Sequence, residues 1–335
     1  MGFRFSRAFA LSLLLAATAA SAQNPPVLTI YTYSSFAGEY GPGATIKANF
    51  ERECACILEW VTTEDAGTLI ARLRLEGRST DADIVLGLDN GLLASARDSG
   101  LFTPHGLTFA NLDLPVAWDD DTFVPFDWGW FAFVYDSTRL AEPPRSLAEL
   151  IADPNGPTVV IEDPRTSSPG LGLLVWMKSV FGDGAADAWA SLAPRIVTVT
   201  RGWSEAYGHY LAGEADMVLS YTTSPAYHLA VENDPRYRAA IFDEGHAMQV
   251  EVAAMVATTD QPELVRSFLA FMATDGFQAA IPEGNWMYPA TALAGGLPPA
   301  FTDLPRPAVS ILTPPEEVEA NRRAWIDEWI AALAR

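Results

Sequence analysis

FVPFDWGWFAFVY, residues 123–135, is a long apolar and aromatic run that holds Pro125 and Gly129. It suits a strand that leaves one domain and enters another. The pattern on either side agrees. Upstream, VLTIYTY (27–33) reads as a buried strand, 41–52 as a helix and 58–62 as a second strand. Residues 68–76 form an amphipathic helix with Leu69, Ile70 and Leu73 toward the core, DIVLGL (83–88) a third strand and 90–99 a helix. Downstream, strands at 158–162, 196–200 and 217–221 alternate with helices at 170–181, 204–213 and 225–232. MQVEVAAMV (248–256) is a second long β-prone run, read as the return crossing. Helices at 262–272, 275–281 and 315–333 complete the chain. This alternation predicts an α/β fold: two hinged lobes, each a central, mostly parallel sheet flanked by helices, with a cleft between them. Lobe 1 is expected from 23–126 and 252–335, lobe 2 from 127–251.

The N-terminus reads as a cleaved signal peptide over residues 1–22. Arg4 and Arg7 precede the short apolar run 8–17, and Ala20-Ser21-Ala22 is a small-x-small cleavage site. The run is shorter than the roughly 20 residues needed to span a bilayer. No cysteine stands at the cleavage site to carry a lipid, so the expected location is the periplasm. The formal net charge is −21, and loss of the two leader arginines makes it more negative still. Such a surface repels nucleic acid and anionic lipid. Cys54 and Cys56 are free to pair in an oxidising compartment. The four histidines, His105, His209, His228 and His246, lack metal-ligand spacing. No metal, no cofactor, no membrane insertion and a monomer are expected.

In open α/β sheets, ligands bind beyond the carboxyl ends of strands, near helix starts. The loops there hold Tyr33 with Tyr40 nearby, Glu64 and Asp65, Asp89 and Asn90, the segment 163–169, Arg201-Gly202-Trp203-Ser204, Tyr221 with Tyr227, and Asn285-Trp286-Met287-Tyr288. Aromatic faces with one or two carboxylates suit a flat organic cation, which a ring attracts within about 6 Å. For any one aromatic, core packing is the alternative. Ser167 and Ser168 open a helix whose free N–H groups could hold a phosphate, or they simply cap it. Gly202-Trp203-Ser204 followed by His246 approximates a nucleophile elbow, leaving a secreted serine hydrolase using Ser204 as a minor alternative.

These loops, together with LTIYTYSSF (28–36), ADIVLGLDN (82–90), DTFVPFDWGWFAFVYD (121–136), EDPRTSSPGLGLL (162–174), VTVTRGWSEAYG (197–208), MVLSYTTSPAYH (217–228), QVEVAA (249–254) and IPEGNWMYP (281–289), resemble the periplasmic thiamine-binding proteins of the type II solute-binding superfamily. The resemblance implies a non-enzymatic receptor. It would capture thiamine, with its mono- and diphosphate as further ligands, and deliver it to an ABC importer's inner-membrane permease. It implies a site of Tyr33, Tyr40, Asp65, Ser167, Trp203, Tyr221, Tyr227 and Trp286. Tyr40 stands where a relative has tryptophan, and Ala66 where one has glycine. A same-fold receptor for a polyamine, ferric ion or phosphonate remains the alternative.

Overall fold

The computed structural model describes residues 24–334; the signal peptide expected over 1–22 lies outside them. The first lobe contains β1 (Val27–Tyr33), α1 (Gly43–Cys54), β2 (Ile57–Thr63), α2 (Ala66–Glu76), β3 (Ile84–Asp89) and α3 (Leu93–Asp98). The crossing strand β4 (Phe123–Asp136) leads to β5 (Val159–Glu162), α4 (Ser168–Phe181), α5 (Ala185–Leu192), β6 (Ile196–Thr200), α6 (Trp203–Leu211), β7 (Met217–Tyr221) and β8 (Tyr237–Ala239). The return strand β9 (His246–Met255), then α7 (Pro262–Phe271) and α8 (Pro315–Leu333), follow.

β4 belongs to two sheets. Its first part, Phe123–Trp130, pairs with β9, and its second part, Phe131–Tyr135, pairs with β7. One sheet runs β2-β1-β3-β9-β4; the other runs on from β4 through β7, β5 and β6. Every residue of β4 and of β9 is buried, which explains why both read as long, largely apolar runs. The β1/β2, β1/β3, β5/β6 and β5/β7 pairs are parallel, as βαβ connections require. The two crossings are antiparallel to each other and to β3 and β7, because one carries the chain out of the first lobe and the other carries it back. Each sheet is therefore mixed, with its parallel strands away from the crossings.

Two bulges set the register beside β9. Phe126 is extra between the pairs Pro125/Val252 and Asp127/Glu251, next to a proline that has no N–H to donate. Gly87 is extra between Leu86/Ala253 and Leu88/Val252, with φ 103°. A Cβ there would lie 2.4 Å from the Tyr33 ring, so only glycine fits. Beyond both bulges, Asp89 and Asp127 each stand directly across from Glu251.

Three local elements differ from expectation. The first helix begins at Gly43, not 41, because Gly41 turns tightly against the Ser35 and Phe36 carbonyls. It ends at the Cys54–Cys56 disulfide, with Ala55 between them in the left-handed region. The helix expected over 90–99 begins only at Leu93. The Asp89 carboxylate accepts the Gly91 N–H (2.7 Å) and holds the preceding residues in a turn. The helix expected over 275–281 is two short turns, Asp275–Gln278 and Ile281–Gly284.

The first lobe's core gathers Phe36, Phe50, Phe126, Phe268 and Phe277. The second packs Phe133, Trp176, Trp189 and Phe242. α8 straddles both lobes. Its Trp329 meets Trp189 edge-on at 6.5 Å, and Glu328 pairs with Lys178 at 3.1 Å, while Arg322 reaches Ser95 on α3. Among the described residues no helix is long and apolar enough to cross a membrane.

Candidate ligand-binding site

The lobes touch across the cleft. A Cβ on Gly67 of the first lobe would lie 2.6 Å from the backbone of Thr166 in the second. Asp65 caps its own helix α2 by accepting the Ala66 N–H (2.7 Å). The same carboxylate accepts N–H groups from Ser168 (3.2 Å) and Trp203 (3.3 Å), the first residues of α4 and α6 in the other lobe. Three helix starts thus converge on one buried carboxylate, each a partial positive charge. Burial still dominates, and it raises the Asp65 carboxyl to about 6, against the pull of these N–H donors. Ser168 Oγ donates to Asp89 across the same boundary.

Between the lobes lies a cavity of about 450 Å³, within the range of small-molecule sites. Of the eight residues expected from sequence, seven line it: Tyr33, Tyr40, Asp65, Trp203, Tyr221, Tyr227 and Trp286. Ser167 does not. It is buried at the start of α4, and Asp65 occupies the helix end that the sequence suggested for a phosphate. The protein's own carboxylate is the anion there.

Each wall has a fixed source. Tyr33 ends β1 and donates its hydroxyl to Glu251 (2.6 Å). Tyr221 ends β7, its ring tilted against Phe131 at 5.3 Å. Trp203 opens α6, donates its indole N–H to Ser220 Oγ (2.7 Å) and lies 5.0 Å from Tyr207. Trp286 meets Tyr227 edge-on at 5.3 Å. Its backbone sits at φ 58°, a left-handed conformation that favours glycine and is costly for a bulky side chain. Such strain is retained where the side chain's placement matters. Tyr40 is 78% exposed and forms the rim.

Sequence reasoning missed Tyr207 and Glu251 as lining residues; Asn285 and Met287 also line the cavity, beside Trp286 in the loop that the sequence singled out. Glu251 was detectable as a charged residue inside an otherwise apolar crossing strand. The cavity's charged lining consists of Glu39, Asp65 and Glu251, with no lysine, arginine or histidine. An adjoining shallow hollow shares Ser34 and Ser204 and adds Arg201, which pairs with Glu64 at 3.7 Å. Aromatic walls and carboxylates without a basic side chain make a site for a flat cation.

His246 does not serve Ser204. Its Nε2 accepts the Phe242 N–H (2.8 Å) and its Nδ1 lies 2.7 Å from the Phe131 carbonyl, so both ring nitrogens are committed. Ser204 sits inside α6, and its backbone is not in the left-handed region. Among the described residues no group of three or more histidine, cysteine, aspartate or glutamate side chains could hold a metal ion.

Comparison with known proteins agrees with this geometry. Residues 34–279 match the family model described as bacterial extracellular solute-binding protein. The chain is 53% identical over 325 residues to the thiamine-binding periplasmic protein of Escherichia coli (strain K12), covering 97% of this chain and 98% of that one. A solved structure titled periplasmic thiamin binding protein superposes with a TM-score of 0.91 at 53% identity, covering 93% of this chain and 97% of that chain. Iron-bound HitA from Pseudomonas aeruginosa superposes at a TM-score of 0.73 and 19% identity, covering 92% and 99%; it shares the fold. These relatives are binding proteins, not enzymes. The chain belongs to the bacterial extracellular solute-binding protein family, on the branch where the thiamine-binding periplasmic proteins lie.

Proposed function

We propose that this chain is a periplasmic receptor for thiamine that hands its cargo to the permease of an ABC importer, after removal of residues 1–22 as a leader, and that it works as a monomer. The observation that carries the reading is the cavity itself: aromatic faces on several sides, carboxylates, and no basic side chain in the lining. Thiamine is a permanently charged thiazolium joined to a flat aminopyrimidine. Tyr33, Tyr221, Tyr227, Trp203 and Trp286 are the proposed ring contacts, with Tyr40 at the rim. Asp65 holds the lobes together beside the ligand, and Ser167 backs it. A linear polyamine would leave the flat walls unused.

The mechanism is capture by hinge closure. Ligand fills the space between the lobes, and its contacts with both favour the closed arrangement over the open one. Titration of the refolded protein, followed by tryptophan fluorescence, tests the reading. Thiamine and its two phosphates are expected to perturb the signal at stoichiometric amounts, and spermidine and ferric ion are not. The ranking of the three vitamin forms shows whether the site accepts a phosphate. A response to spermidine or ferric ion alone would overturn the proposal.

A further inference from the structure

Three carboxylates stand level across three adjacent strands. Asp89 on β3 and Asp127 on β4 flank Glu251 on β9, each directly opposite it in the register that the two bulges create. Directly opposed residues on neighbouring antiparallel strands share a face, and like charges so placed are destabilising. All three are buried. Only Glu251 lines the cavity.

The neighbours supply hydrogen bonds but little positive charge. Tyr33 from β1 donates to Glu251 Oε2 (2.6 Å), and Gln249 donates to Oε1 (2.7 Å). Asn285 Nδ2 bridges Tyr33 Oη (2.8 Å) and Asp127 Oδ2 (2.6 Å). Asp127 Oδ1 is buried without a hydrogen-bond partner among the described residues. From β7, Tyr221 lies in the field of Glu251, Asp89, Asp65 and Glu162, and Asp65 adds its charge to Glu251 from the start of α2. Arg322 of α8 acts on Asp89, and no cation figures among the largest influences on Asp127 or Glu251 within the described residues. Burial, then the charge of Asp127, pushes the Glu251 carboxyl well above the usual carboxylate range; burial raises Asp127 to about 7.

We infer that the Glu251–Asp127 pair selects for the positive charge of the ligand, holding a proton while the cavity is empty and releasing it to solvent when a cation settles against Glu251. Two adjacent buried carboxylates do not both ionise without a counter-charge, and they titrate as a pair. An organic cation supplies that counter-charge, and the O–H bond of the shared proton breaks in favour of the buffer. The proton belongs to the pair, and Asp127 Oδ1, buried without a hydrogen-bond partner among the described residues, leaves the second negative charge uncompensated. This inference rests on the thiamine reading and names the group that recognises the charge.

The test is calorimetric titration of the whole mature protein with thiamine at pH 7, in phosphate and in Tris buffer. Proton release makes binding more exothermic in Tris, whose protonation liberates more heat. The affinity is expected to strengthen from pH 6 to pH 8, by up to about tenfold per unit for a full proton. Glu251→Gln removes both dependences, and Asp127→Asn does the same should the glutamine variant fail to fold. Asp65→Asn keeps them. Tight binding of thiamine with equal heats in the two buffers would overturn the inference and leave the thiamine reading standing. Persistence of the buffer dependence in folded Glu251→Gln would also overturn it. Absence of any thiamine binding would overturn both.

Discussion

Asp65 and Trp203 show how single side chains serve closure and capture together. Asp65 accepts from three helix starts in two lobes, and Trp203 supplies both a ring face and one of those N–H groups. Asp65→Asn and Trp203→Ala are each expected to weaken thiamine binding by roughly 1–3 kcal/mol, the scale of a charged hydrogen bond or a desolvated cation–π contact. Fluorescence or calorimetric titration checks this, and unchanged affinity in both would remove these residues from the site. Most of the aromatic wall was legible because Tyr33, Tyr221, Trp203 and Trp286 fall at strand ends, helix starts and loops, where packing gives a weaker reason for large rings. The helix start at Ser167 was left open between a phosphate site and a simple cap because one lobe's sequence carries no sign that the other lobe's carboxylate fills it. Asp127 was hidden in the run that identified the first crossing, where overall apolarity masked the acid; Glu251 stood out as a charge in the return run, but its partners come from other strands that the local sequence does not reveal.

At the scale of elements, the close approach of α2 to the loop before α4 depends on Gly67. A methyl group there would meet the Thr166 backbone at 2.6 Å, and backbone cannot rotate away. Gly67→Ala is expected to hold the lobes apart and weaken ligand binding by about 1–3 kcal/mol, the usual cost of overpacking. Small-angle scattering should show a wider molecule that ligand no longer compacts; normal affinity and compaction would refute the contact's role. The strand–helix alternation was readable because buried parallel strands are short apolar runs between turn residues. The antiparallel crossings and the late start of α3 were not. Pairing direction depends on where the chain returns, and the Asp89 side chain diverts its backbone into a turn before the helix begins. α8 ties the lobes from outside. Trp329→Ala is expected to cost about 3–5 kcal/mol of stability, as deletion of a buried tryptophan does, measured by denaturant unfolding.

For the whole molecule, the balance of buried acids sets the response to pH. Asp65 at about 6 and Asp127 at about 7 both lie above their ordinary value of 3.8. Between those limits the folded protein binds more protons than the unfolded chain, so these groups add stability as pH falls from about 7 toward 4 and withdraw it as pH rises. The ligand-free protein is therefore expected to melt at higher temperature at pH 6.5 than at pH 8; below that, buried His246, lowered to about 4, opposes the trend. Asp127→Asn should flatten the dependence, and a melting temperature that rises with pH across this window would contradict the assignment. Thiamine is expected to stabilise most at the alkaline end, where the carboxylates await a cation. The most direct test of the central claim is calorimetric titration of refolded protein with thiamine alone. The account predicts saturation at one ligand per chain with sub-micromolar affinity, on the order of −8 kcal/mol or tighter. No heat, and no displacement of the tryptophan signal from a correctly folded sample, would contradict it and assign the aromatic cavity to another solute.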